Sequence, residues 1–277
     1  MGILLALVAA AAYGSADFLG GMAARKAALL AVALGAQAVG LIVVLIALVL
    51  HPEVFSIASL EWGALAGLAG AAGIALLYHA LSIGRMGVVS PVTALLAASV
   101  PVIFGIVTGE RPSLLADGGL LLAAAAIVAI SASFESDGRR EFDTAGLREA
   151  LLSGIAFGAF FTLLGLTRDG APLLALLGSR LASVSLLASI VIATRTPLRL
   201  NGATTLVLIG GALDMAANLL YLLAARIDGL AISAVLTSLY PASTVLLAAV
   251  ILRERLSRIQ WVGVLCALVA VAMIAAR

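Results

Sequence analysis

The chain has 277 residues, of which 64% are hydrophobic and only 11% are charged, and its mean hydropathy is +1.23. So few polar residues cannot cover the surface of a water-soluble globule, so the composition excludes a soluble protein and indicates an integral membrane protein. The formal net charge is +2, and the basic residues are scattered among short connecting segments, which excludes the basic patch typical of a nucleic-acid-binding protein.

Ten apolar segments are long enough to cross a bilayer as helices, at about 20 residues for each crossing. They cover residues 2–23, 29–50, 61–82, 87–108, 114–133, 149–167, 172–194, 203–225, 230–252 and 259–276. These segments lack the two-residue alternation of barrel strands. We therefore predict an all-α, multi-pass protein of the cell (inner) membrane, with the lipid bilayer as its surroundings.

One connection differs from the others because it is long and rich in charge. It covers residues 135–148, and its composition predicts a solvated linker. The linker divides the chain into two halves of five spans each, residues 1–134 and 149–277. We expect the two halves to form a single membrane domain.

The second half resembles the first when the two are aligned with a shift of 144 residues. The aligned pairs include Gly14 with Gly158, Gly67 with Gly211, Thr93 with Thr237, and Glu110-Arg111 with Glu254-Arg255. An odd number of spans per half places the halves in the membrane in opposite orientations. This is the inverted-repeat plan of many secondary transporters, whose binding site lies near the bilayer midplane between the repeats.

The eighth span carries three polar residues on one helical face. Asp214, Asn218 and Tyr221 are spaced at i, i+4 and i+7 within an otherwise apolar run. A carboxylate near the middle of a bilayer costs roughly 2.5–3.5 kcal/mol on insertion scales, so it is expected to face a cavity or a partner. We predict that this face lines a substrate pathway.

Arg180, in the seventh span, is the expected neighbour of Asp214. Consecutive spans run antiparallel, and both residues lie near the centres of their spans, so a contact between them is predicted. One interpretation is that the pair is structural and fixes the packing of the two helices. The other is that it serves the substrate directly, because a guanidinium group can bind a carboxylate through two hydrogen bonds.

The first span contains a second intramembrane carboxylate, Asp17, which shares a helical face with Tyr13. A carboxylate in a partly dry cavity can bind and release a proton within the working pH range. We hypothesise that Asp17 or Asp214 couples transport to protons. The alternative for Asp17 is a role in helix packing.

The third span contributes the adjacent pair Tyr78 and His79, of which one is expected to face the cavity because neighbouring residues point about 100° apart. Gln37 is a plausible donor in the pathway, although polar side chains more often join helices to each other. The candidate substrate-binding residues are therefore Tyr13, Asp17, Tyr78, His79, Arg180, Asp214, Asn218 and Tyr221.

Several short motifs occur in a fixed order along the chain. They are Tyr13-Gly14-Ser15, the span ends Glu110-Arg111 and Glu254-Arg255, and the Tyr240-Pro241 break. Together with the five-plus-five plan, they resemble the EamA-type branch of the drug/metabolite transporter superfamily over essentially the whole chain. The resemblance implies a ten-helix exporter of small metabolites, often amino acids, that works by alternating access. The first half departs from the pattern, because Ala97 stands at the position related to Pro241.

Other classes of function are not favoured by the sequence. It contains no phosphate-binding loop and no cluster of metal ligands, and its aspartates lack the settings of an intramembrane protease, so no enzyme, cofactor or metal is expected. Two carboxylates and one guanidinium group suit a small zwitterion, whose amine would meet an aspartate and whose carboxylate would meet Arg180. The alternatives are a passive channel and a translocator of lipids or other metabolites. The oligomeric state is not predicted.

Overall fold

The computed structural model describes residues 1–107, 115, 118–119, 121–122, 125–126, 129, 132–134, 140–142, 145–166, 171–228, 237, 239–253 and 257–275. Its helices are α1 (Gly2–Ala24), α2 (Leu29–Leu50), α3 (Ile57–Ile83), α4 (Met86–Val107), α5 (Leu147–Gly165), α6 (Pro172–Thr194), α7 (Thr204–Asp228), α8 (Tyr240–Ile251) and α9 (Arg258–Ala275). Strands β1 (Ala132–Phe134) and β2 (Arg140–Phe142) pair in antiparallel fashion between α4 and α5.

The helices have the length and composition of membrane spans. Within the described residues, six of them are long and apolar enough to cross a membrane, namely α1, α2, α3, α5, α6 and α7. Large apolar side chains are exposed on their outer faces, including Ile42 at 58% and Ile192 at 76%. Such exposure would be unfavourable in water, but it suits helices that contact lipid. The prediction of a multi-pass helical membrane protein is confirmed.

Most predicted spans agree closely with the observed helices, and two differ. Helices α2 and α6 begin and end at the predicted residues. Half of the fifth predicted span, 114–133, lies within the described residues. Residues 115, 118–119, 121–122, 125–126 and 129 are helical as predicted, whereas the prediction as helix is wrong at Ala132 and Ser133, which lie in β1. Backbone pairing of β1 with β2 satisfies the hydrogen bonds of this segment without a helix. The strictly all-α prediction is corrected to that extent.

The ninth predicted span, 230–252, is observed as a shorter helix. Helix α8 begins at Tyr240, and Pro241 lies in its first turn, where the missing N–H of proline costs no helical hydrogen bond. Residues 229–236 and 238 lie outside the described part of the chain. The Tyr240-Pro241 motif therefore marks a helix start, and the count of ten spans stays a prediction.

Glycine allows the central helices to approach each other closely. Helix α1 packs against α7 and α8, and α3 packs against α5 and α6. A Cβ atom added at Gly14 would lie 2.3 Å from the carbonyl oxygen of Tyr240, and one added at Gly67 would lie 2.1 Å from that of Ser179. These separations permit no side chain, so small residues set the spacing between helices, as is common in membranes.

Two hydrogen bonds between helices follow the predicted 144-residue offset. The hydroxyl of Thr93 donates to the carbonyl of Ala150 at 3.2 Å, and the hydroxyl of Thr237 donates to the carbonyl of Ala6 at 3.5 Å. The first bond joins α4 to α5, and the second joins the residues before α8 to α1 at the related positions. The division of the chain into two repeated halves, residues 1–134 and 149–277, stays a prediction.

An acidic side chain joins the two halves at one end of the helices. Glu53, in the connection between α2 and α3, accepts hydrogen bonds from the backbone N–H groups of Leu173 and Leu174 at 2.9 and 3.1 Å. Because Pro172 has no N–H, these two amides are the first free donors of α6. Glu53 therefore caps α6 from the other half of the chain.

Candidate substrate site

The centre of the site is an ion pair inside the helix bundle. The Nη2 atom of Arg180 on α6 lies 2.7 Å from Oδ2 of Asp214 on α7, and their side chains are 6% and 22% exposed. The Nη1 atom of Arg180 donates a hydrogen bond to Oε1 of Gln37 on α2. The predicted contact between Arg180 and Asp214 is present, and the guanidinium group holds three helices together.

Gly40 brings the backbone of α2 close to the same guanidinium group. A Cβ atom added at Gly40 would lie 3.2 Å from Nε and 3.4 Å from Cζ of Arg180. The Nε atom is buried and has no hydrogen-bond partner within the described part of the chain. Gln37 and Gly40 are three residues apart on one face of α2, so this face presents one acceptor and one bare stretch of backbone to Arg180.

The predicted polar face of α7 is only partly directed at Arg180. Asn218 is buried, and its Nδ2 atom donates to the carbonyl of Asp214 in its own helix at 2.8 Å. Tyr221 is half-buried, and it interacts electrostatically with Tyr13 on α1. Asp214 therefore bridges α7 to α6, whereas Asn218 bonds within its own helix and Tyr221 interacts electrostatically with Tyr13 of α1.

Asp17 on α1 is the second carboxylate of the site, and its residue is 9% exposed. It interacts electrostatically with Asp214, which places the two carboxylates in one region. The structure shows no hydrogen bond or ion pair between Asp17 and another described residue. Asp17 and Asp214 are therefore chemically different, because only Asp214 has a cationic partner among those residues.

Three tyrosines surround this region. The rings of Tyr13 and Tyr240 pack with centroids 6.3 Å apart at an interplanar angle of 59°. Tyr78 on α3 is 1% exposed, and its ring lies against Gly20, where an added Cβ atom would be 2.1 Å from Cε1. Asp17 interacts electrostatically with all three tyrosines. Tyrosine hydroxyls and ring faces thus supply the neutral part of the site.

The cluster contains one more acidic than basic side chain. Asp17 and Asp214 contribute two carboxylates, and Arg180 contributes one guanidinium group. With ordinary ionisation their sum is −1, which a bound cation or a proton would neutralise. Within the described residues, no group of three His, Cys, Asp or Glu side chains is arranged to hold a metal ion.

Not every candidate residue belongs to the cluster. His79 is half-buried, and its carbonyl accepts a hydrogen bond from Ser82 at 2.7 Å, but no contact joins its imidazole to Arg180 or Asp214. Of the adjacent pair on α3, the structure places Tyr78 in the cluster. The Glu110-Arg111 and Glu254-Arg255 pairs lie outside the described residues.

Sequence reasoning missed one aromatic member of the cluster and undervalued one amide. Tyr240 was singled out only as part of a helix break, although its position at the start of α8 directs its ring towards Tyr13. Gln37 was one of several polar residues that could equally join helices. Its spacing of three residues from Gly40 is the signal that it shares a tightly packed face.

The positions related to the cluster by the 144-residue offset carry no charge. They are Phe157 for Tyr13, Phe161 for Asp17, Ala36 for Arg180, Gly70 for Asp214 and Leu96 for Tyr240. Phe160 and Phe161 pack edge to face with centroids 5.2 Å apart. The charged cluster therefore occurs in one of two similar helix packings and is replaced by apolar residues in the other.

Comparisons with known proteins agree with this architecture. A crystal structure described only as that of a protein matches 98% of this chain and 95% of its own chain, with a TM-score of 0.63 and 17% sequence identity, which shows the fold alone. No match is found among the curated proteins. Residues 145–276 match the model described as the EamA-like transporter family. Residues 145–276 are therefore similar to this family, whose members are membrane transporters.

Proposed function

We propose that this protein is a secondary active transporter that exports small zwitterionic metabolites, amino acids above all, by alternating access. The observation that carries the proposal is the buried pair of Arg180 and Asp214, 2.7 Å apart, with the carboxylate of Asp17 in the same region and without a cationic partner among the described residues. Charged side chains inside a bilayer are costly, and they usually mark a pathway for ions or substrates. The carboxylate of Asp17, which lacks a cationic partner among the described residues, suits the amine of a zwitterion.

The location of the cluster supports alternating access. Its members come from α1, α2 and α3 in the first half of the chain and from α6, α7 and α8 in the second. Contacts between the halves, such as α1 with α7 and α3 with α6, surround it. A site shared by two inverted halves can open to one side or the other when the halves rock against each other.

Proton coupling is the second part of the proposal. The cluster contains one more acidic than basic side chain, which favours a state in which either a proton or the amine of a substrate neutralises a carboxylate. A carboxylate that exchanges these two cations would link export to proton entry. Asp17 and Asp214 are the two side chains that can do this.

The test is counterflow of a labelled L-amino-acid panel in proteoliposomes, with and without a pH gradient. The parent is expected to show saturable exchange that the gradient accelerates, and Asp214→Asn, compared at equal amounts of folded protein, is expected to abolish it. Glu61→Gln, an acid-to-amide change at an exposed position of α3, is the matched control and should transport like the parent. Flux that rises linearly with concentration would favour a passive channel and would contradict the proposal.

A further inference from the structure

We infer that Asp17, with Tyr13, Tyr78 and Tyr240, forms the recognition site for the protonated amine of the substrate, and that Arg180, Asp214 and Gln37 form a fixed framework beside it. The inference rests on the proposed function, because it divides the same cluster into a part that binds and a part that holds the helices. According to this inference, the site recognises its substrates by their protonated amine. A carboxylate on the substrate is not required for binding.

The two carboxylates of the cluster differ in their partners. Asp214 is satisfied by Arg180 at 2.7 Å, and Arg180 is in turn held by Gln37. Asp17 is more than nine-tenths buried and has no such partner among the described residues. A buried carboxylate without a counter-ion is unfavourable unless a cation or a proton reaches it. Asp17 is thus the carboxylate that is available to a ligand.

Aromatic rings lie on both sides of Asp17 along α1. Tyr13 lies one turn before Asp17 on the same helical face, and its ring packs with that of Tyr240. Gly20 lies almost one turn after Asp17, and the ring of Tyr78 rests against it. Aromatic side chains therefore flank the carboxylate in both directions along the helix. Rings around an anion are the side-chain chemistry that binds ammonium groups through cation–π attraction and charge.

The nitrogens of Arg180 are the donors that a substrate carboxylate would need. Both terminal nitrogens of Arg180 already donate, one to Asp214 and one to Gln37. Its Nε atom faces the backbone at Gly40, where an added Cβ atom would be only 3.2 Å away. The guanidinium group is therefore engaged or covered on each side. An amine meets a free acceptor at Asp17, whereas a carboxylate would have to displace an existing partner of Arg180.

Helix α5 is related to α1 by the offset of 144 residues, and it has no carboxylate at the position of Asp17. Phe161 stands where Asp17 stands, and Phe157 stands where Tyr13 stands. These helices pack closely without a carboxylate at this position, since a Cβ atom added at Gly73 of α3 would lie 2.9 Å from Cδ1 of Phe157. A carboxylate at position 17 is therefore not needed to join the helices, which favours a role in binding.

The experiment measures ligand binding by isothermal titration calorimetry with the full chain in detergent. The probes are a panel of L-amino acids, the primary amines formed from them by decarboxylation, and the acids that lack the amine. The variants are Asp17→Asn, Asp17→Glu, Tyr240→Leu and Tyr240→Phe. Phe161→Leu, at the offset-related position, is the matched control. Size-exclusion chromatography and circular dichroism verify that each variant is folded.

The parent is expected to bind amines and amino acids but not the acids. Asp17→Asn should weaken amine binding by roughly 30-fold or more, and Asp17→Glu should restore part of it. Tyr240→Leu should weaken binding by about 5-fold, whereas Tyr240→Phe, which keeps the ring, should stay within about 2-fold of the parent. Phe161→Leu should bind as the parent does.

Two results would overturn the inference, namely amine binding by Asp17→Asn that equals the parent, and a folded parent that binds none of the amines. Failure of the proposed function gives a different pattern. If the parent binds amines through Asp17 but shows no saturable exchange, the transport proposal fails and the amine site stands. If Asp17→Asn still exchanges amino acids as the parent does, the amine site fails and the transport proposal stands.

Discussion

Helix α1 packs against α7 and α8, and helix α5 packs against α3 and α4. Both packings have a glycine at the offset-related position, but their other side chains are very different. Gly14 of α1 meets the backbone of α8 at Tyr240 and Thr244, and Gly158 of α5 meets Val100 of α4. We call the first of these the charged region, with Tyr13, Asp17, Asp214 and Tyr240, and the second the apolar region, with Phe157, Phe161, Gly70 and Leu96.

The difference between the regions separates what the fold needs from what a ligand needs. Threonine hydroxyls join the helices at offset-related places in both regions, through Thr237 and Ala6 in one and Thr93 and Ala150 in the other. The apolar region achieves its packing without any charge at the related positions. Intramembrane charges are costly, and the apolar region packs without them, so the carboxylate of Asp17 fits the proposed role in substrate binding.

The largest expected effect comes from removing one charge of the ion pair, which has no counterpart in the apolar region. Asp214→Asn leaves Arg180 buried without its anion and should lower the free energy of unfolding by about 3–5 kcal/mol. Thermal unfolding in detergent measures the loss. The double variant Arg180→Gln with Asp214→Asn should recover most of it, because no isolated charge remains. A double variant as unstable as Asp214→Asn would contradict the pairing.

The next effect should be shared by the two regions. Added Cβ atoms would lie 2.3 Å from the Tyr240 carbonyl oxygen at Gly14 and 2.4 Å from Val100 Cβ at Gly158. Gly14→Val and Gly158→Val should each destabilise the protein by about 2–3 kcal/mol through overpacking, seen as loss of monodisperse protein. Gly202→Asn is the control, because its φ of +79° suits Asn and nothing lies within 4 Å. Tolerance of valine at one site only would break the comparison.

A smaller effect is expected at Gln37, whose offset-related residue is Leu181. Gln37→Leu removes the acceptor for Nη1 of Arg180 and leaves a buried donor unsatisfied, at a cost of about 1–2 kcal/mol. The unfolding midpoint in detergent measures this cost. If Gln37→Leu is as stable as the parent, Gln37 does not belong to the framework of the charged region.

The smallest effect tests the shared hydrogen bonds. Thr93→Val and Thr237→Val preserve shape but remove the hydroxyls that donate at 3.2 and 3.5 Å. Each should cost about 1 kcal/mol, with the longer bond at Thr237 costing less. Native-state hydrogen exchange at α1 and α5 reports the loss locally. A change of stability at only one of the two threonines would show that the regions are less alike than their contacts suggest.

Much of the architecture could be predicted because bilayer length and apolarity are visible in any single segment. Helices α2 and α6 have their predicted bounds for this reason. Arg180 and Asp214 could be paired in advance because neighbouring antiparallel spans are in contact and because an arginine in lipid needs an anion. The β1 and β2 pair could not, since a strand of three residues has no distinctive pattern.

The rest of the site depends on contacts between residues far apart in sequence. Tyr240 meets Tyr13 across more than two hundred residues, and a tyrosine alone in an apolar segment gives no hint of its partner. The sequence alone does not show which of Asp17 and Asp214 is paired, and only the contact between Asp214 and Arg180 in the structure distinguishes them. The sequence therefore identifies the charged residues, whereas the structure shows which of them are paired.

The central claim, that the charged region carries the substrate and the apolar region only packs, is tested most directly by one matched measurement. Saturable amino-acid counterflow in proteoliposomes should be compared for the parent, Asp17→Asn and Phe161→Leu, with equal amounts of folded protein. The account predicts exchange by the parent and by Phe161→Leu, and its loss in Asp17→Asn. Equal exchange by all three proteins, or loss in Phe161→Leu alone, would contradict it.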